Sequence, residues 1–308
     1  MPSNEGQAPG IFEAREAPTV DFARVAFGET SNPAEYVPRE ATEDALLQLE
    51  RAVRAGRCAA LTAPPGLGKS LLLHLLDRRL APGFRCLFLP YGALAVDDLC
   101  AWALGLLGEP AGDDPRTSLV RYARRAAAEG NVLVLLIDDG SSVPLETARE
   151  LGALVRESGN RLRLVLAAAD DATSSRVISV FHPEIVDVRL TDPMTTLETR
   201  LYIETRLDQS DVPHVLRSRF HEETIGWIHR LSGGVPRRVH ELGRSLLDEP
   251  PEGVGSLWSE ERWLGAPIDD VDESLLGDLP PLPEILAKRP PLELPETLLD
   301  DEDDIDLL

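Results

Sequence analysis

RCAALTAPPGLGKSLLLHLLDRRL, residues 57–80, passes from a short apolar run through a Pro/Gly loop into a leucine-rich segment. Cys58, Ala59, Ala60 and Leu61 suit a buried strand, and Leu71, Leu72, Leu75, Leu76 and Leu80 recur at helical spacing. Strand, loop and helix in that order predict a phosphate-cradling P-loop. Consecutive backbone N–H groups can curl around an anion only where side chains are small or absent, which Gly66 and Gly68 provide. The helix that follows adds the positive end of its dipole. Lys69 is placed to reach the β- and γ-phosphates of a nucleotide, and the Ser70 hydroxyl to take a Mg²⁺ position. The candidate binding loop is therefore Pro64, Pro65, Gly66, Leu67, Gly68, Lys69, Ser70 and Leu71.

Ala63 stands where the G-x-x-x-x-G-K-[ST] pattern has its first glycine. Lysine usage supports the reading despite that departure. The chain has two lysines, Lys69 and Lys288, against 29 arginines. Arginine serves nearly everywhere a cation is wanted, but its planar fork cannot replace a compact ammonium in a phosphate cradle.

A second half-site follows in NVLVLLIDD (131–139), six consecutive apolar residues ending in acids. Such a run predicts a strand buried on both faces, as in a parallel sheet. A carboxylate at the end of a strand beside the P-loop can hold Mg²⁺, and Asp138 fits.

The flanking segments alternate in the same way. Helices are expected over Pro38–Ala55, Val96–Leu107, Thr117–Glu129 and Pro144–Glu157, and strands over Phe84–Leu89, Arg161–Ala169 and Ile185–Leu190. Alternating strands and helices predict an α/β fold with a doubly wound parallel sheet. From Pro193 the pattern is helical only, over Thr195–Gln209, His221–Leu231 and Pro236–Leu247, which predicts a small lid. The expected organisation is a flexible arm over 1–30, a P-loop α/β domain over 31–192, a helical lid over 193–247 and a mostly disordered acidic tail over 248–308. Val25, Phe27 and Tyr36 are candidates to dock the arm on the body.

Net charge is −22, and the tail carries most of it: 19 acidic and three basic residues lie from Asp248 onward. The body is only mildly acidic and shows no basic stripe, so duplex binding is not favoured. The tail mixes its acids with Trp258, Trp263 and repeated Leu and Ile, a composition used by segments that fold onto protein partners. Cys58, Cys86 and Cys100 lack metal-ligand spacing and suit a reducing cytosol. No signal peptide and no membrane-spanning run is read, so a cytoplasmic protein is expected.

The stretch from about Phe27 to Leu247 resembles the ExeA/GspA-type AAA+ ATPases of bacterial secretion systems, whose relatives include the MuB/TniB transposition helpers and the origin-recognition ATPases. The likeness rests on APPGLGKS (63–70), LLIDDG (135–140), LETRLYIETRL (197–207) and LSGGVPRRVH (231–240). It implies an AAA+ core using ATP and Mg²⁺. It also implies Asp139 in the place of the water-activating Glu, one methylene shorter, and Arg237 as a sensor arginine pointing from the lid to the γ-phosphate. Pro236 starts the sensor helix, and Tyr202 packs near the adenine. Two departures stand out. Ala167, Ala168 and Ala169 precede Asp170 where a polar phosphate contact is usual, and Phe181–Ile185 lacks the arginine finger, with Arg176 upstream as the nearest substitute.

Binding parts are kept and rate-enhancing parts are altered. Three functions stay open: a slow ATPase or ATP-driven switch acting on a protein partner, a non-hydrolysing nucleotide-binding scaffold acting through the acidic tail, and a DNA-binding transposition or replication helper. A homo-oligomer is compatible with each.

Overall fold

Short apolar runs buried on both faces become the strands of a parallel sheet. The computed structural model describes residues 21–28 and 31–248, so the acidic tail and most of the N-terminal arm lie outside the described residues. The described chain opens with helix α1 (Phe22–Phe27) and continues through α2 (Glu40–Arg54), β1 (Cys58–Thr62), α3 (Lys69–Leu80) and β2 (Phe84–Leu89). It then forms α4 (Val96–Leu106), α5 (Pro115–Ala128), β3 (Val132–Ile137), α6 (Leu145–Glu157), β4 (Leu162–Ala168), α7 (Ala172–Ser179) and β5 (Ile185–Arg189).

The five strands pair in the order β2-β3-β4-β1-β5, all parallel. Alternate residues serve opposite faces. Leu61, Val134, Leu136 and Val165 meet α2 and α3, while Ala60, Leu135, Ile137 and Leu164 meet α4, α5, α6 and α7. Helix α5 begins two residues earlier than expected. Pro115 occupies its first turn and Asp114 caps it by accepting from the Thr117 N–H at 3.0 Å, so the Asp–Pro pair starts the helix.

The lid comprises α8 (Thr196–Gln209), α9 (His214–Arg217), α10 (Glu222–Ser232) and α11 (Pro236–Asp248). At its described end the arm expected over 1–30 forms helix α1. Helix α1 shares a core with the lid, where the Phe27 ring packs so closely on Gly243 that a Cβ there would stand 2.9 Å from the ring. Arg206, 1% exposed, donates from Nε to the Ala26 carbonyl at 2.8 Å and pairs with Glu35 at 2.9 Å. Of the three candidate docking residues, Phe27 is fully buried, Tyr36 packs on α2 through Thr42 and Glu43, and Val25 stays exposed. A six-residue helix is too short to hold alone, so these long-range contacts hold it.

Candidate nucleotide site

The P-loop leaves β1 and turns into α3 with Gly66 at φ +81° and Gly68 at φ +92°. These are left-handed conformations that L side chains adopt only at a cost, which explains both glycines. Leu67 between them is buried beneath the loop and anchors it to the α2–α3 core.

Lys69 and Ser70 open α3 in its first turn. The Lys69 ammonium donates to the Ala63 carbonyl at 2.9 Å and the Pro64 carbonyl at 3.3 Å. Burial pulls its pKa below the ordinary lysine value, against the pull of Asp138 and Asp139 in the other direction. The Ser70 hydroxyl donates to Asp138 Oδ2 at 2.5 Å. Helix start and strand end are thus joined by one short contact.

Asp138 lies beside the P-loop as expected, although its strand β3 is not the hydrogen-bonded neighbour of β1. Strand β4 lies between β1 and β3. Its end, Ala167–Ala169, floors a cavity of about 220 Å³ walled by Lys69, Pro90, Asp138, Asp139 and Ser141. Ser141 was not singled out from sequence. Its hydroxyl accepts from the Ala169 N–H at 3.3 Å and supplies a polar group beside three alanines. The signal that could have found it is the turn after the acids: Asp139 takes φ 51°, and a single short helical turn over Gly140–Ser142 follows. Asp138 caps this bend by accepting from the Asp139 N–H at 3.0 Å. The Asp139 side chain is exposed, on the same cavity as Lys69.

The lid reaches the loop through the start of α11. The Arg237 N–H donates to the Gly66 carbonyl at 3.3 Å, and a Cβ on Gly66 would stand 2.9 Å from Val235 and 3.0 Å from the Arg237 Cβ. The Arg237 guanidinium is close enough that its charge lowers the Lys69 pKa further. Gly233 and Gly234 make the turn before Pro236 at φ +60° and +72°, and Gly234 accepts from the Met194 N–H at 2.8 Å. A side chain on Gly234 would collide with the Met194 carbonyl, so the turn is fixed to the body–lid linker.

The structure gathers Lys69, Ser70, Asp138 and Asp139 at the sheet edge, with Pro236 and Arg237 at the same loop from the lid side. It places Tyr202 in the lid interior. The Tyr202 hydroxyl bonds His240 Nε2 at 2.7 Å, and His240 Nδ1 bonds the Gly28 carbonyl at 2.9 Å. A carbonyl only accepts, so the proton sits on Nδ1 and Tyr202 is the donor to Nε2. Arg176 is exposed on α7.

Residues 52–174 match the family model for an AAA domain. Among solved structures, Aeropyrum pernix Orc1 in complex with DNA superposes with a TM-score of 0.56 at 16% identity, over 78% of this chain and 65% of that one. Aeropyrum pernix Orc2, solved as ADPNP and ADP complexes, gives 0.52 at 16% identity over 73% and 71%. Cdc6p from Pyrobaculum aerophilum gives 0.50 at 16% over 71% and 62%. This chain thus spans just under two thirds of the Orc1 chain, and at these identities the likeness is one of fold. No curated protein matches the sequence. Among the described residues no helix is long and apolar enough to cross a membrane.

Proposed function

We propose that this AAA+ P-loop core binds ATP with Mg²⁺ and works as a slow ATPase whose nucleotide state sets the position of the lid for a protein partner. The observation that carries the reading is the Ser70–Asp138 contact at 2.5 Å, a hydroxyl and a carboxylate converging at the mouth of a left-handed glycine loop. That oxygen pair suits a hard divalent cation, which prefers oxygen ligands. The loop glycines leave backbone N–H groups free of side-chain obstruction, and the Lys69 ammonium can exchange two carbonyl partners for phosphate oxygens. Mg²⁺ bound there would neutralise phosphate charge as the terminal phosphoryl group leaves.

The remaining residues have separate tasks. Asp139 orients water from the cavity wall, with an arm one methylene shorter than Glu. Arg237 reports the terminal phosphate to α11, and its backbone bond to Gly66 joins lid and loop. Ala167–Ala169 offer only backbone donors to phosphate, which supports slow turnover. Mg²⁺-dependent ATP binding and single-turnover phosphate release on the full chain test this. Saturable binding with slow release is expected; absence of binding, or rapid multiple turnover, contradicts it.

A further inference from the structure

All five strands run parallel and the P-loop leaves β1 at its C-terminal end, so the helix-to-strand loops lie at the opposite edge of the sheet. The two edges differ sharply in charge. Segments 63–70, 90–98, 138–147, 169–173 and 189–193, on the P-loop edge, hold eight acidic residues and two cations, Lys69 and Arg189. Segments 51–57, 77–85, 124–131, 156–163 and 182–184, on the far edge, hold eleven arginines and four acidic residues. This local excess of seven positive charges stands in a chain of net charge −22.

Complementing helix dipoles accounts for part of the rim, because Arg51, Arg54, Arg78 and Arg79 sit in last helical turns. It does not account for Arg57, Arg85, Arg161 and Arg163, which stand at strand starts. Ion pairing accounts for three of the eleven: Arg54 with Glu50, Arg79 with Glu43 and Arg125 with Glu109. The other eight make no ion pair among the described residues. Two guanidiniums, of Arg54 and Arg163, even share the Phe84 ring at 5.3 and 5.5 Å. Five strands at about 4.8 Å spacing make this rim roughly 20 Å wide. So many like charges on so narrow a strip repel one another unless an anion offsets them.

We propose that this arginine rim is the docking surface for the chain's own acidic C-terminal segment, residues 249–308. That segment holds 18 acidic and three basic residues and ends DDEDDIDLL. It starts where α11 ends at Asp248. Sixty extended residues reach up to about 200 Å, so length does not restrict where on the body the segment lies. Tethering gives it an effective concentration on the order of millimolar, at which individually weak arginine–carboxylate pairs suffice. Guanidinium forks also bind carboxylates in bidentate fashion, which suits a rim built from arginine alone. Because the rim is on the edge away from the P-loop, docking leaves the nucleotide cavity open, and this inference stands or falls independently of nucleotide binding.

Small-angle scattering on the full chain tests it, at about 0.05 M and about 0.5 M NaCl, where screening differs strongly. Wild type is expected to be monomeric and compact at low salt and to expand at high salt. The combined Arg57→Ser, Arg85→Ser and Arg161→Ser variant should show the expanded radius at both while remaining folded by circular dichroism, with Tm lowered by loss of the Arg57 bonds to the Pro183 and Ile185 carbonyls. So should a variant with Asp300, Asp301, Asp303 and Asp304 changed to Asn. A radius that ignores salt and both sets of substitutions overturns the proposal, and so does salt-sensitive compaction seen only with a doubled mass. Fluorescence anisotropy with labelled duplex DNA closes the remaining route. If wild type binds duplex and the arginine substitutions weaken that binding without changing the radius, the rim belongs to nucleic acid and the proposal fails.

Discussion

Ser70 and Asp138 meet at 2.5 Å although β1, which leads into the P-loop, and β3, which ends before Asp138, are separated by β4 in the sheet. The contact spans the cavity mouth and sets where a divalent cation can sit. Asp138→Asn keeps the shape and removes the charge, so Mg²⁺-dependent nucleotide affinity should fall about 10- to 100-fold, the range for a lost charge-assisted contact. Ser70→Ala should fall by less. The double variant should lose less than the sum of the two, because one partner is useless without the other. Titrations with Mg²⁺ and with EDTA check this; equal losses in both conditions would remove the metal role.

Asp139 lies on the cavity wall with φ 51°, a conformation that Asp tolerates better than most residues. Asp139→Glu extends the carboxylate toward the site at a small backbone cost. Single-turnover hydrolysis should rise about tenfold or more, within the range of general-base effects, with ATP affinity unchanged. Slower hydrolysis in a variant that still folds and binds would show that Asp139 is not the water-activating group.

Helix α1 holds the lid through Phe27, whose ring is fully buried against Gly243 and Phe220. Phe27→Ala should cost about 3–5 kcal/mol, the usual loss for a buried aromatic ring. For a domain of this size that lowers Tm by about 10 °C. Differential scanning calorimetry reads the shift, and a change of only a degree or two would mean that α1 is not part of the lid core.

How much of this was legible in sequence follows from how local each feature is. The strands were readable because runs such as VLVLLI (132–137) are apolar throughout, and the P-loop because its glycines, lysine and serine fall within the five residues 66–70. Helix α7 was missed: its eight residues ATSSRVIS are short and polar, and its cap is the Asp171 carboxylate accepting from the Ser174 N–H at 2.7 Å. Helix α1 carries no local sign of its helix beyond Val25 and Phe27, because its partners Arg206 and Gly243 lie about 180 and more residues away in sequence. The order that places β4 between β1 and β3 leaves no trace in any single strand. With it went the neighbourhood of Ala167–Ala169 and Ser141.

His240 ties the lid to acid sensitivity. Burial pulls its pKa from 6.5 to about 4, with the Arg206 charge adding to the same direction. Between those values the unfolded chain binds the proton and the folded chain does not, so stability falls as pH drops from 6.5 toward 4. The group's share is at most about 3 kcal/mol. Urea midpoints at pH 7 and pH 5 should therefore differ more in wild type than in His240→Gln. Parallel pH dependence in the two would mean that His240 does not titrate in this window.

Lys69 is the residue on which the account turns. Its half-buried ammonium, held by the Ala63 and Pro64 carbonyls, is costly to the protein without an anion, so Lys69→Ala should fold at least as stably as wild type. The most direct measurement is equilibrium binding of Mg²⁺–ATP to wild type, Lys69→Ala and Lys69→Arg, with unfolding curves on all three. Saturable binding by wild type, weakened about 100-fold or more in both variants while folding is retained, is predicted, because an arginine fork does not fit the cradle. No saturable binding by wild type, or equal binding by all three proteins, would contradict the assignment of this loop as a nucleotide site.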